Sequence, residues 1–428
     1  MSKMRPKRIL NTSELMTEMN VKWQKVKLCD LCSSISDGDH LAPPKSDIGV
    51  PFVTISDIRD NHFDLSDTRF VPEAYYQKID EKRKVHKGDV LYSVVGSYGI
   101  PVFAASDLKI AFQRHIAILR PGEKLVPKFL YYSLKNPTFY KKADGAAIGA
   151  AQKTISLSAL RRLEIDIPPL PTQKRIADIL SAYDDLIENN RRRMEILEQS
   201  ARLIYRKMFG TNKKRTNLLH LEDFVERTIS GDWGKESPDR KCTEKIMCLR
   251  GADIPSLRYR DFGKGIVRFV TPQHVEERAM KDGDLFVEMS GGSPTQATGR
   301  VGLVSSRLLR DAALPVLCTN FCRVIRPKPG HAFFLYLAWL DLYDQDLMFM
   351  FEHSAIALKN FDLDLFLKKI LVVKPEDSQL WDFNEKIAGV MDQMDVLGGE
   401  NRRLIKARDI LLPKLMNGEL GDEKVEEE

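Results

Sequence analysis

The chain has 428 residues, 43% hydrophobic, 29% charged and 8% aromatic, a globular mixture that excludes a mostly disordered chain, a collagen and a small disulfide framework. Lysine and arginine number 66 against 60 acids, and the net charge of +6 is by itself a weak pointer to a polyanionic partner. No apolar run reaches the roughly 18–20 residues of a membrane span, and six cysteines in this length suggest a reducing, cytoplasmic setting.

Residues 1–20 read as a polar tail. Met1-Ser2-Lys3-Met4-Arg5-Pro6 has no apolar core behind it, so it does not read as a secretory signal. Residues 21–167 read as a first globular domain of short strands and a few helices. A polar opening, Ser33-Ser34-Ile35-Ser36-Asp37-Gly38, precedes a Gly-Asp turn into an apolar strand, Lys87-Gly88-Asp89-Val90-Leu91-Tyr92. A glycine loop (Gly96-Ser97-Tyr98-Gly99), a strand ending in Arg120-Pro121 and an aromatic helix near Pro127–Tyr140 follow.

Residues 168–212 read as one long helix. After Pro168-Pro169-Leu170-Pro171, the positions Ile176, Leu180, Tyr183, Ile187, Asn190, Met194, Leu197, Ala201, Ile204 and Met208 alternate in steps of 4 and 3. That is a heptad seam. From Thr172 to Phe209 it would run about 57 Å at 1.5 Å per residue, so its apolar stripe needs a partner of similar length.

Residues 213–373 repeat the first domain's landmarks. Arg227–Asp232 is the polar opening, Asp282-Gly283-Asp284-Leu285-Phe286-Val287 the turn and strand, and Ser290–Gln296 the glycine loop. Cys322–Pro327 ends in Arg326-Pro327, and an aromatic helix spans Ala332 to Phe351. The offset between copies drifts from about 195 to 206 residues through these landmarks.

Residues 374–418 read as a second long helix, followed by an acidic tail at 419–428. Its seam is Phe383, Ile387, Val390, Met394, Leu397, Asn401, Leu404, Arg408, Leu411 and Leu415. Each seam carries one asparagine, Asn190 or Asn401, each followed by Arg-Arg; such a residue fixes register at a cost in stability. Gly398-Gly399 predicts a kink or break just before Asn401. Thr172–Arg215 carries 11 basic and 6 acidic residues and Glu376–Glu428 carries 7 and 14, so the two helical segments have opposite charge and suit each other as partners. The fold class is therefore α+β: two globules of mixed α/β structure separated by two long helices, in a pseudo-two-fold repeat.

A search for catalytic chemistry finds no constellation. No Gly-x-x-x-x-Gly-Lys-Ser/Thr phosphate loop is present, and Ser290-Gly291-Gly292-Ser293 lacks the lysine. Asn136-Pro137-Thr138-Phe139 lacks the second proline of a base-methyltransferase loop and reads as a helix-ending turn. Cys29-x-x-Cys32 has no second pair to complete a metal site, and buried structural thiols are the expectation for all six cysteines. No metal ligands are assigned.

Two cationic globules at a set separation suit a two-part site on DNA. Base readout needs hydrogen-bonding groups on loops that approach closely. The candidates in the first globule are Gly96, Ser97, Tyr98, Gln113, Arg114, His115, Gln152 and Lys153. In the second they are Ser290, Gly291, Gly292, Ser293, Thr295, Gln296, Arg300 and Lys359. Because the globules differ far more in sequence than the helices do in pattern, they are expected to read different half-sites. A coiled-coil scaffold that binds proteins and no DNA is the rival reading.

In this order, Pro168–Ala177, Asn189-Asn190-Arg191-Arg192, Ser290–Arg300 and Leu411–Leu420 resemble the specificity subunits of type I restriction-modification enzymes, from about Trp23 to Leu420. The resemblance implies two target-recognition domains and antiparallel helices that space them and dock two methyltransferase subunits. It implies a non-catalytic chain bound to double-stranded DNA. The partners would use S-adenosylmethionine to methylate a flipped adenine, and two restriction subunits would use ATP with magnesium. A related system with methyltransferase and nuclease fused in one partner is an alternative. The chain departs from the family pattern at Thr172, where glutamate is common, and at Lys374-Pro375-Glu376-Asp377, where the Pro-Pro-Leu-Pro run is missing.

Overall fold

The structure, a computed structural model, describes residues 23–40, 42–59, 62–65, 68–149, 152–210, 217–291, 296–355 and 358–419. Two helices of 40 residues each, Leu170–Phe209 and Asp377–Met416, are continuous. The chain divides into two compact units, residues 1–185 with 405–428 and residues 186–404, so the boundary falls inside both helices rather than at their ends.

In the first unit, a four-stranded antiparallel sheet runs in the order Cys32–Asp37, Ile116–Pro121, Val90–Ser93, Pro101–Phe103. A three-stranded sheet places Val50–Val53 antiparallel to Arg69–Val71 and parallel to Ala111–Phe112. Gln24–Lys27 pairs with Glu164–Ile167 and brings the ends of the domain together. The helices Pro127–Lys135 and Pro137–Ala146 pack on the first sheet through Phe129, Leu130, Tyr132 and Phe139. Asn136 caps the second of these, accepting from the Thr138 amide at 3.1 Å, so Asn136-Pro137 is a turn between helices.

The second unit repeats this topology. Val225–Ser230, Cys322–Pro327, Leu285–Glu288 and Val301–Leu303 form the antiparallel sheet. Glu244–Leu249 lies antiparallel to Ile266–Val270 and parallel to Val316–Cys318. Leu218–His220 pairs with Leu371–Val373. One addition has no full counterpart: Ser290–Gly291 joins the hairpin of Glu352–Ala355 and Leu358–Phe361. The core centres on Phe334, Trp339 and Phe366, and Trp339 donates to the Gly299 carbonyl at 2.8 Å.

Each unit pairs its own segments of the two helices, running antiparallel. In the first unit Ile176, Ala177 and Leu180 share a core with Leu412, Leu415 and Met416, with Leu411 packed at its edge. There Asp184 accepts from Arg408 at 2.6 Å and from the Tyr132 hydroxyl at 2.7 Å. Tyr183 is half-buried. Gln173 anchors the helix start: its carbonyl accepts from the Val126 amide, and its amide donates to the carbonyls of Lys124 and Pro168.

In the second unit Ile187, Asn190, Met194, Ile387, Met394, Leu397 and Asn401 are buried, while Leu197 and Leu404 are half-buried. The seam departs from the heptad expectation toward its end. Tyr205 and Phe209 are buried where Ile204 and Met208 were expected, and Met391 is buried beside a half-buried Val390. A straight helix turns every 3.6 residues, so a 3.5-residue pattern drifts around it by about 20° per heptad.

The predicted break at Gly398-Gly399 does not occur, because the helix runs through it. Gly398 instead admits a neighbour: a Cβ there would lie 2.5 Å from the Arg260 Cβ and 3.0 Å from the Tyr259 carbonyl oxygen.

Candidate nucleic-acid interface

In the first unit, three candidate segments far apart in sequence meet. The Gly96 amide donates to the Lys153 carbonyl at 3.0 Å, and Val95 bridges to Thr154, so the glycine loop lies against Gln152-Lys153. The Val94 amide donates to the His115 carbonyl at 2.9 Å, bringing in the turn Gln113–Ile116. Gly96 (φ 68°) and Gly99 (φ 89°) are in the left-handed region. A Cβ at Gly99 would also lie 2.6 Å from the Tyr140 ring.

Asp144 organises this patch. It accepts from the Tyr98 hydroxyl and from Lys153 Nζ, the latter at 2.8 Å. The Tyr98 ring stacks on Tyr140 with centroids 5.9 Å apart and planes 6° apart. Lys153 and then Tyr98 hold the Asp144 carboxyl below the ordinary carboxylate range, and Asp144 in turn raises the Tyr98 phenol. Arg114 is exposed, with Gln113 and His115 half-buried beside it. Asp144 and Tyr140 were not among the candidates; they lie on a helix, where sequence shows only an amphipathic pattern.

In the second unit, Gly291 pairs with Lys359 and Ser290 with Asn360, so again a glycine loop meets a lysine-bearing segment, here a strand. Lys153 and Lys359 stand 206 residues apart, at equivalent positions, and Lys359 likewise pairs with an acid, Glu352, at 3.0 Å. Burial would raise the Glu352 carboxyl, but the Thr298 amide and hydroxyl and Lys359 together hold it low.

Arg300 sits differently from its expected role as a contact. Its guanidinium spans both oxygens of the buried Glu288, at 2.9 and 2.6 Å, and donates to the Gly251 carbonyl at 3.1 Å. It braces the loop from beneath. Gly251 and Gly291 leave room for that carboxylate, since a Cβ at either would lie within 2.9 Å of Glu288 Oε1. Gln296 is exposed, and Gly292, Ser293 and Thr295 lie outside the described residues.

The expectation of buried thiols holds for Cys248, Cys318 and Cys322 but not for Cys29, which is exposed, or for Cys32 and Cys242, which are half-buried. A short four-residue helix, Leu28–Leu31, turns Cys29 outward because Leu28 and Leu31 take the buried face. Among the described residues no group of three or more His, Cys, Asp or Glu side chains could hold a metal ion, and no helix is long and apolar enough to cross a membrane.

The class is thus a tandem-duplicated α+β protein with polar, glycine-supported loops at the strand ends of each unit and two long helices threading both. Residues 20–199 match the family model of the type I restriction modification DNA specificity domain. A putative type I restriction enzyme specificity subunit of Methanocaldococcus jannaschii is 29% identical over 58% of this chain and 59% of its own length. The HindI specificity subunit of Haemophilus influenzae is 24% identical over 93% of this chain and 99% of its own. A crystal structure of the type I restriction-modification S subunit from M. genitalium covers 92% of this chain and 96% of its own, at 17% identity and a TM-score of 0.49. The matched domain and these relatives make the chain similar to the specificity subunits of type I restriction-modification enzymes.

Proposed function

We propose that this chain is the sequence-reading subunit of a type I restriction-modification complex, with each unit reading one half of a bipartite, asymmetric DNA site. The supporting observation is a repeat that keeps its scaffold and changes its contact residues. Lys153 and Lys359 are alike at equivalent positions, whereas Arg114 and His115 correspond to Asn320 and Phe321. Two units with different side chains at matched positions read different bases.

In this reading the chain is non-catalytic. The long helices set the gap between half-sites and dock two methyltransferase subunits, which supply S-adenosylmethionine chemistry on adenine. Two restriction subunits add ATP- and magnesium-dependent cleavage. Binding rests on phosphate contacts and therefore weakens steeply with salt.

The test is to express the chain with the methyltransferase subunit encoded beside it and map adenine methylation base by base. A single two-part motif with a fixed gap is expected, and exchanging residues 21–167 should change one half only. A stable complex that methylates nothing, and shows no salt-dependent binding to DNA, would instead support a scaffold.

A further inference from the structure

The turn Thr319-Asn320-Phe321 repeats Gln113-Arg114-His115 in three backbone hydrogen bonds. The Cys322 amide donates to the Thr319 carbonyl at 3.0 Å, as the Ile116 amide does to Gln113 at 3.2 Å. The Met289 amide donates to the Phe321 carbonyl at 2.9 Å, as Val94 does to His115 at 2.9 Å. The Asp232 amide donates to the Cys318 carbonyl at 2.7 Å, as Asp39 does to Phe112 at 2.9 Å. Gly231 and Gly38 both sit where a Cβ would collide with a carbonyl oxygen of the facing segment, at 1.9 and 2.1 Å. Each turn is thus clamped between the glycine loop and the Gly-Asp bend of its own unit.

Phe321 is 62% exposed at the tip of a rigid turn, and Asn320 beside it is exposed. Most of the ring is left uncovered by the chain itself and is available to an apolar group of a partner. Around the turn lie two guanidiniums and one carboxylate, that of Asp232, which His274 holds at 2.6 Å. Arg323 donates to the Asn320 and Cys322 carbonyls at 3.2 and 3.1 Å, and Arg278 donates to the Gly231 carbonyl at 3.1 Å, so two guanidiniums lie at the base of the turn.

We propose that this turn is a specificity-determining element of the second unit, with Phe321 packed on the C5-methyl of a thymine and Asn320 hydrogen-bonded to an adjacent adenine. The chemistry follows from the groups. A phenyl ring offers no hydrogen bond, so the base feature it can select in the major groove is the thymine methyl. An asparagine amide matches the N6 and N7 edge of adenine. Arg114 and His115 hold the equivalent places in the first unit, where charged and polar groups would select different bases. This inference rests on the reading of each unit as a half-site reader.

The experiment uses the complex with its methyltransferase subunits and duplexes carrying the mapped motif. Thymines in the second unit's half-site are replaced one at a time by deoxyuridine, which lacks only the methyl. One position is expected at which the replacement lowers methylation by roughly five- to tenfold, within the range of a single lost base contact. Phe321→Ala should abolish that sensitivity and relax that position, leaving the first half of the motif intact. Phe321→His, which installs the first unit's residue, should shift the preferred base rather than remove preference.

Three results would overturn the proposal: a second half-site without thymine or adenine, unchanged deoxyuridine sensitivity in Phe321→Ala, or a Phe321→Ala motif identical to the parent. Loss of any two-part motif in the parent complex would overturn the broader reading as well, which separates the two failures.

Discussion

Asp89 accepts from Arg120 Nε and Nη2 with its two carboxylate oxygens, at 3.0 and 2.9 Å, and Asp284 accepts from Arg326 the same way, at 2.8 and 2.7 Å. Each carboxylate also accepts an amide of its own turn, His86 or Lys281. The Gly-Asp turn and the Arg-Pro strand end, two separate landmarks in the sequence, are therefore one physical device. It fixes the turn that leads into the central strand to the end of that strand's neighbour, at the opposite end from the candidate loops.

Asp89 is 1% exposed, so removing its charge leaves Arg120 without its buried partner. Asp89→Asn is expected to destabilise the first unit by about 3–5 kcal/mol, whereas changing both residues to apolar ones of similar size costs less than the sum. Denaturant unfolding of the two single variants and the double variant measures the difference. Equal and additive losses would show that the pair is not coupled.

The repeat was legible because such pairs preserve both partners, and the two offsets, 195 for Asp89 to Asp284 and 206 for Arg120 to Arg326, locate an insertion of 11 residues between them. The helices were legible through their seams. The sequence could not show that Arg300 turns inward to Glu288, since a loop arginine looks the same whether it faces a carboxylate or solvent. Nor could it show Asp144 as the hub of Tyr98 and Lys153, because that contact joins segments 46 and 9 residues apart. The turn at Asn320-Phe321 could have been found by carrying the 206-residue offset from Arg114-His115, but its composition alone signals only a loop.

Asn190 Nδ2 donates to Asn401 Oδ1 at 3.0 Å, and Asn401 Nδ2 donates to the Ile187 carbonyl at 3.2 Å, all within the second unit and buried. The two seam asparagines are thus each other's partners. Asn190→Leu should cost about 1–3 kcal/mol, because it leaves the buried Oδ1 of Asn401 without its donor. The double replacement by leucine should recover most of that loss while loosening register. Thermal melting measures the stability. Engineered cysteine pairs along the two helices, cross-linked in more than one register only in the double variant, measure the specificity.

Asp144→Asn should loosen Tyr98 and Lys153 and relax the first half of the methylation motif while leaving the second half sharp. The native carboxyl lies below its ordinary value, so its contribution is present above the unfolded value and is lost as pH falls through the lowered one. No titration from this cluster is therefore expected between about pH 5 and 8. A first-half preference that changes across that window in the parent and not in Asp144→Asn would contradict the assignment.

Gly398 and Gly399 are neighbours in one helix and should respond oppositely to the same change. A Cβ at Gly398 meets the Arg260 backbone and Cβ, in a segment where Arg260 is buried in the left-handed region with φ 55° and its carbonyl accepts from Arg402. That segment cannot retreat without breaking this bond, so Gly398→Ala should cost about 1–3 kcal/mol through overpacking. A Cβ at Gly399 meets only the flexible end of Arg402, at 3.7 Å. Gly399→Ala should therefore stabilise the helix by about 0.5–1 kcal/mol, the ordinary gain of alanine over glycine. Opposite shifts in melting temperature are the expected outcome. Stabilisation by both would mean that Gly398 is a weak point in the helix rather than a seat for the Tyr259-Arg260 loop.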